Sequence, residues 1–135
     1  MDCVFCKILK GKIPSEKVYE NDKVYAFLDI MPVNPGHTLV IPKYHYENIE
    51  DLPEDLMCEI SKVVKQVGKA IIRGLEVKGY NLALNNRTVA GQVVPHVHFH
   101  IIPRVKGDGL KLWPQKKYPD NEMELTGKKL RDNIE

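Results

Sequence analysis

The sequence has no Gly-x-Gly-x-x-Gly and no Gly-x-x-x-x-Gly-Lys-Ser/Thr run, so a nucleotide bound here is not held by a Rossmann turn or a P-loop. It lacks the roughly 20-residue apolar stretch that a membrane helix needs, and no basic segment leads into a hydrophobic one after Met1-Asp2-Cys3. It also lacks charge of one sign. Twenty Lys+Arg stand against 18 Asp+Glu, a net +2, too little for sequence-independent binding along a phosphodiester backbone. Three cysteines in 135 residues make no disulfide framework and fit a reducing compartment. No internal repeat and no Gly/Ser-rich or Pro-rich linker divides the chain. These absences predict a soluble, cytoplasmic, single domain over residues 1–135 with a C-terminal tail from about 104, and neither a membrane nor a nucleic-acid partner. Any anionic ligand is expected to be bound locally.

What the chain does have is clear periodicity. Lys17 to Glu20 and Lys23 to Asp29, joined by a turn at Asn21-Asp22, read as a hairpin. His37 to Ile41, Tyr80 to Asn85 and His96 to Ile102 read as three further strands, the last bracketed by Pro95 and Pro103. Leu56, Ile60, Val63, Val64, Val67, Ala70 and Ile71 recur at spacings of three and four, which predicts an amphipathic helix over about Glu54–Arg73. A short helix capped by Asp2 runs to about Lys10 before Gly11, and a closing helix is expected over Met123–Ile134. Strands adjacent in sequence with one long helix predict an α+β class with an antiparallel five-stranded sheet.

The densest chemistry lies in His96-Val97-His98-Phe99-His100. Alternation on a strand sends the three imidazoles to one face and Val97, Phe99 and Ile101 to the other. The row has three readings: a solvated face of an edge strand, a His-x-His metal chelate, or three histidines with separate tasks. One ion cannot take all three rings, because the outer two lie about 13 Å apart along an extended strand and metal–nitrogen bonds are only about 2 Å. Imidazole titrates near neutrality and serves as nucleophile, acid or base. Upstream, Gly91-Gln92-Val93-Val94 offers consecutive backbone N–H groups for an anion, and Asn85 adds a neutral amide.

His96-Val97-His98-Phe99-His100-Ile101-Ile102 resembles the signature of the histidine-triad (HIT) superfamily. The blocks Phe27-Leu28-Asp29-Ile30, Pro35-Gly36-His37-Thr38-Leu39-Val40-Ile41-Pro42-Lys43 and Ala90-Gly91-Gln92 match in the same order, and together they span about Cys3 to Arg104. The resemblance, to the Hint-like bacterial-type branch, implies a HIT-like α+β fold and a homodimer with two nucleotide sites. It implies hydrolysis or transfer at the α-phosphate of a purine nucleoside phosphoramidate or adenylate-type conjugate, through a nucleotidyl-histidine, with no organic cofactor. Dinucleoside polyphosphate cleavage and a nucleotide-binding regulatory role with vestigial catalysis are the alternatives. His98 matches the nucleophile and His100 the phosphate contact, with His96 in support. His37 matches a buried histidine behind the row, or an ordinary hydrogen-bonded core residue. Asp29 matches the ribose-binding carboxylate, or a turn cap. Phe5, Ile8, Phe27 and Ile30 match an apolar slot for the base, though each also suits a plain core.

The residue after Gly-Gln is commonly a serine in Hint-like proteins, placed to help protonate the leaving group. Here it is Val93, which keeps the backbone N–H and loses the hydroxyl, leaving His96 or water to supply the proton. Cys3-Val4-Phe5-Cys6 has no preceding strand, as a thioredoxin-like pair would. The resemblance implies instead a structural zinc on Cys3, Cys6, His45 and His96, with all four positions filled by protein. Cys58 is expected to be a small buried residue on the long helix. The resemblance also implies that the C-terminal segment approaches the partner protomer's site and tunes the leaving group, and Trp113, in a locally basic tail, is the candidate for that role.

Overall fold

Val24, Ala26, Val40, Phe99 and Ile101 are all buried, and they gather on one side of a sheet because residues two apart on a strand share a face. The computed structural model describes residues 2–135. Its strands are β1 (Lys17–Glu20), β2 (Val24–Leu28), β3 (Thr38–Pro42), β4 (Gly79–Leu84) and β5 (Phe99–Arg104), and its helices are α1 (Val4–Leu9), α2 (Glu54–Gly74) and α3 (Glu122–Asn133). The five strands form one sheet in the order β1-β2-β3-β5-β4, and every pairing is antiparallel. The architecture is thus α+β.

One face of the sheet is covered by α2. Leu56, Ile60, Val63, Val64, Val67 and Ile71 pack with Val24, Ala26, Val40, Val97, Phe99 and Ile101 in one cluster, each fully buried Val, Leu, Ile or Phe contributing about 1.5–3 kcal/mol. Two helix positions differ from the expected stripe. Ala70 is exposed and Gly68 takes a buried place, because the Tyr80 ring of β4 lies against the helix there and leaves no room for a methyl group. Cys58 is exposed rather than buried. It stands two residues from both Leu56 and Ile60, and at about 100° per residue that is the far side of the helix.

The other face carries Phe27, Leu39 and Ile41 against Cys3 and Phe5, and here the site is built. His100 lies directly opposite Leu39 in the β3–β5 register, so its ring is on this face. The last strand starts and ends later than the apolar alternation predicts, at Phe99–Arg104, with Pro103 inside it. β3 pairs β5 only as far as Ile101, so beyond that point β5 has a free side that accommodates a residue without an N–H. α1 starts on Cys3 rather than Asp2, and the Cys3 Sγ accepts the Cys6 N–H at 3.4 Å. Gly11 follows with φ +74°, a left-handed stop that suits glycine. α3 buries none of its residues and does not close the core. Among the described residues no helix is long and apolar enough to cross a membrane.

Candidate active site

Three segments meet on the open face: the end of β2 with the loop after it, the loop from Asn85 to His98, and the start of β5. Between them lies a cleft of about 370 Å³ lined by Phe5, Asp29, Met31, Leu39, Asn85, Gly91, Val93, Val94, His98 and His100. The three triad histidines are buried or nearly so, which removes the solvated-face reading, but they do different things.

The His98 Nδ1 is 2.7 Å from the backbone oxygen of His96. A carbonyl only accepts, so Nδ1 carries the proton and Nε2 is left with the lone pair. Burial holds this imidazole below its ordinary pKa, against the opposing pulls of the His96 carbonyl and the Asp29 charge. Phe5 packs edge-to-face on the ring at 5.0 Å between centroids.

His100 is oriented from behind by His37. The Val33 backbone N–H donates to His37 Nδ1 at 3.1 Å, so the neutral His37 ring carries its proton on Nε2. That Nε2–H faces His100 Nδ1 at 2.9 Å, which forces the His100 proton onto Nε2. His100 Nε2 is buried and has no partner among the described residues. A buried N–H without an acceptor is costly, and this one belongs to a cleft-lining ring. Burial is the main cause that pushes His100 down to about 4, and His37 is also lowered chiefly by burial. The 3.8 Å approach of His37 Nε2 to Asp29 Oδ2 is therefore not an ion pair at neutral pH.

These depressed values give a stability prediction. Below about pH 6.5, the ordinary histidine value, the unfolded chain takes up protons that buried His37 and His100 refuse, so stability should fall as pH drops toward 4 and be insensitive to these groups above 6.5. Urea unfolding from about pH 8 to about pH 5 reads this directly. Stability that rises on acidification over this range contradicts it.

Asp29 has one oxygen on the Met31 N–H at 2.9 Å, a turn cap, while its side chain also lines the cleft. Asn85 Nδ2 reaches the Gly91 carbonyl at 3.4 Å, and Gly91 has φ +95°, which a side chain would strain. The Gly91 and Gln92 N–H groups are taken by Thr88 and Arg87 carbonyls, whereas those of Val93 and Val94 have no acceptor among the described residues.

Several expected site residues lie elsewhere. The Gln92 side chain is buried in the loop's own scaffold, Nε2–H donating to Glu47 O and Oε1 accepting the Arg87 N–H at 2.7 Å. Ile30 is 88% exposed, because the Asp29 turn reverses the chain there and throws the side chain outward. Phe27 and Ile8 belong to the cluster beneath the cleft rather than to its lining. His96 does not line the cleft, so it is not placed to protonate a leaving group: its Nε2–H donates to Pro42 O at 3.0 Å and its Nδ1 faces the cysteines. Trp113 lies along β4, lining a separate hollow of about 400 Å³ with Asn81, Leu82 and Leu112.

A second cluster adjoins the first. The ligand atoms of Cys3, Cys6, His45 and His96 all lie within 4.8 Å of one another. His96 Nδ1 is 3.4 Å from Cys3 Sγ and 3.7 Å from Cys6 Sγ, and His45 Nδ1 is 3.4 Å from Cys6 Sγ. Since Pro42 takes the His96 Nε2–H, Nδ1 has its lone pair free toward the sulfurs. Burial also pushes His96 down to about 4, which keeps it neutral. Two thiols and two imidazole Nδ1 atoms converging, that of His96 with its lone pair turned to the sulfurs, fit a tetrahedral soft-metal site.

A model of the HIT domain matches residues 10–107. The chain belongs to the HIT family. It is 40% identical over 138 residues to the adenosine 5'-monophosphoramidase HNT1 of Candida albicans, covering 98% of this chain and 91% of that protein. The crystal structure of a HIT family member from Bacillus subtilis superposes with a TM-score of 0.92 at 40% identity, covering 100% of this chain and 99% of that one. A zinc-bound histidine triad family protein from Mycobacterium smegmatis aligns with a TM-score of 0.78 at 37% identity, covering 98% and 92%. This HIT chain therefore has the HIT fold, with His96 and His98 in the loop that leads into β5 and His100 within the strand.

Residues of the cleft and its support that the sequence pattern did not single out are Val33, Met31 and Leu39. Leu39 was legible in principle, because strand register sets it across from His100. Val33 acts only through its backbone, and its placement depends on Asn34. The Asn34 carbonyl accepts the His37 N–H, while its amide reaches Pro103 O at 2.9 Å and Asp108 Oδ2 at 3.1 Å. Asp108 is in turn clamped by Arg104, which holds its carboxyl well below the usual range.

Proposed function

We propose that this chain hydrolyses purine nucleotide conjugates of the phosphoramidate or adenylate type at the α-phosphorus, with His98 as nucleophile. The observation that carries this is the pairing of opposite tautomers in one cleft: His98 with its Nε2 lone pair freed by the His96 carbonyl, and His100 with a buried, unpartnered Nε2–H.

The steps follow from those atoms. His98 Nε2 attacks the α-phosphorus, the bond to the leaving group breaks, and the leaving nitrogen or oxygen takes a proton from water in the open cleft. The His100 Nε2–H and the free N–H groups of Val93 and Val94 donate to non-bridging phosphate oxygens, whose charge grows in the transition state. Asp29 accepts from the ribose hydroxyls with the oxygen its turn leaves free. The apolar floor of Phe5 and Leu39 receives the base. Water then attacks phosphorus, the P–N bond to His98 breaks, and a nucleoside monophosphate leaves. The relative named as an adenosine 5'-monophosphoramidase supports this reading.

Cys3, Cys6, His45 and His96 would hold a structural zinc, with no open position for catalysis. The free thiols and a reducing cytoplasm are compatible with such a site. A homodimer is part of the same reading: the edge strand β4 leaves Leu82 54% exposed, and Trp113 and the apolar residues of α3 are uncovered beside it or beyond it. Sedimentation equilibrium at micromolar concentration tests it, a monomer contradicting it.

The functional assay is AMP release from an adenosine phosphoramidate and from a diadenosine polyphosphate. Turnover of the first supports the proposal, and nucleotide binding without turnover of either overturns it. Val93 gives a sharper test. It is 89% exposed at the cleft and brings no proton to the leaving amine, so Val93→Ser is expected to raise kcat on the phosphoramidate by up to about 100-fold. An unchanged or lower kcat contradicts a leaving group that departs beside Val93.

A further inference from the structure

We propose that the Cys3–Cys6–His45–His96 cluster positions the nucleophile: a metal held there fixes the tautomer and ring orientation of His98 through the carbonyl of His96 and through Phe5. The inference rests on the metal-binding reading given above and goes beyond a purely structural ion.

His96 is shared between the two sites. Its ring Nδ1 faces both sulfurs, its Nε2–H is on Pro42 O, and its backbone N–H donates to Val94 O at 2.8 Å. The one remaining polar group, the carbonyl, is the acceptor of the His98 Nδ1–H. The residue is 0% exposed, and in a close-packed interior such a ring does not swing without moving its backbone. Ligation of the ring therefore fixes the carbonyl, and the carbonyl selects which nitrogen of His98 has the lone pair.

Phe5 provides a second arm. It sits between the two cysteines on α1 and meets His98 edge-to-face at 5.0 Å and His96 at 5.8 Å. α1 has only six residues, too few to persist without outside attachment. Binding both cysteines to one ion fastens that helix, and with it the ring that limits rotation of His98. His96 and Phe5 are positioning residues in this scheme, and only His98 meets phosphorus.

The test uses the full chain labelled with 15N at histidine. Metal content is measured after zinc loading, and long-range 15N–1H correlations at about pH 8, where the imidazoles are neutral, read each tautomer. The expected result is stoichiometric zinc and a single Nδ1–H form for His98. As zinc is withdrawn by a chelator, the ratio of Nδ1–H to Nε2–H at His98 should fall roughly fivefold or more, the effect of losing one ordinary hydrogen bond. His37 and His100 should keep their tautomers, since Val33 sets them independently. Titrating zinc into Cys6→Ser, with circular dichroism to confirm folded protein, gives the same correlation without complete stripping. Stoichiometric zinc with an unchanged His98 tautomer at every occupancy overturns the coupling and leaves the metal site standing. Failure to bind zinc overturns the metal reading, and the coupling with it.

Discussion

His98→Ala is expected to lower AMP release by on the order of 10^4-fold or more, the scale seen when a covalent nucleophile is removed from a site whose other groups remain. The substitution removes the Nε2 proposed to attack and nothing that folds the sheet, because the His98 ring faces the cleft and Phe5 rather than the α2 core. Affinity for a non-hydrolysable AMP analogue should therefore change little. If the variant retains turnover within about tenfold of the parent, attack by water without a covalent intermediate becomes the better account.

His100→Ala is expected to cost about 100- to 1000-fold in kcat, the usual loss for one donor aimed at transition-state charge. The variant deletes the orphan Nε2–H and also leaves the buried His37 Nε2–H without its acceptor. Some destabilisation should accompany the loss. His100→Gln offers a partial replacement through its amide N–H, so it should recover part of kcat. A rise in KM with kcat unchanged would show instead that His100 binds substrate and transition state equally, which contradicts its role as a donor to developing charge.

How much of this was legible in the sequence follows from the range of the interactions. Strand alternation and helix periodicity are local, and they placed β1 to β5 and α2 within a few residues. The buried face of Val97, Phe99 and Ile101 followed from the same pattern, as did the HIT resemblance that the family match and the fold confirm. Pairing partners decide strand ends, and no local pattern holds them, which is why β5 runs through Pro103. The site divides the same way. Its histidines were visible as residue types at a spacing, but their separate directions were not. His96 turns away from His98 and His100 because its ring is claimed by Pro42 and the cysteines, which come from distant parts of the chain. Ile30 and Gln92 were misplaced for a related reason. Each follows a residue that does line the cleft, and a turn at Asp29 or a buried amide network at Arg87 and Glu47 redirects the next side chain. The tautomer of His100 depends on a backbone N–H at Val33, which carries no side-chain signature at all.

The covalent bond proposed between His98 and a nucleotide is tested most directly by acid-sparing rapid quench during turnover of an adenosine phosphoramidate, followed by peptide mass spectrometry. The account predicts an adenylyl mass on the peptide containing His98, formed and discharged fast enough to carry the steady-state rate and missing in His98→Ala. Turnover with the adduct on another residue, or with no adduct under conditions that preserve phosphoramidate bonds, would contradict it.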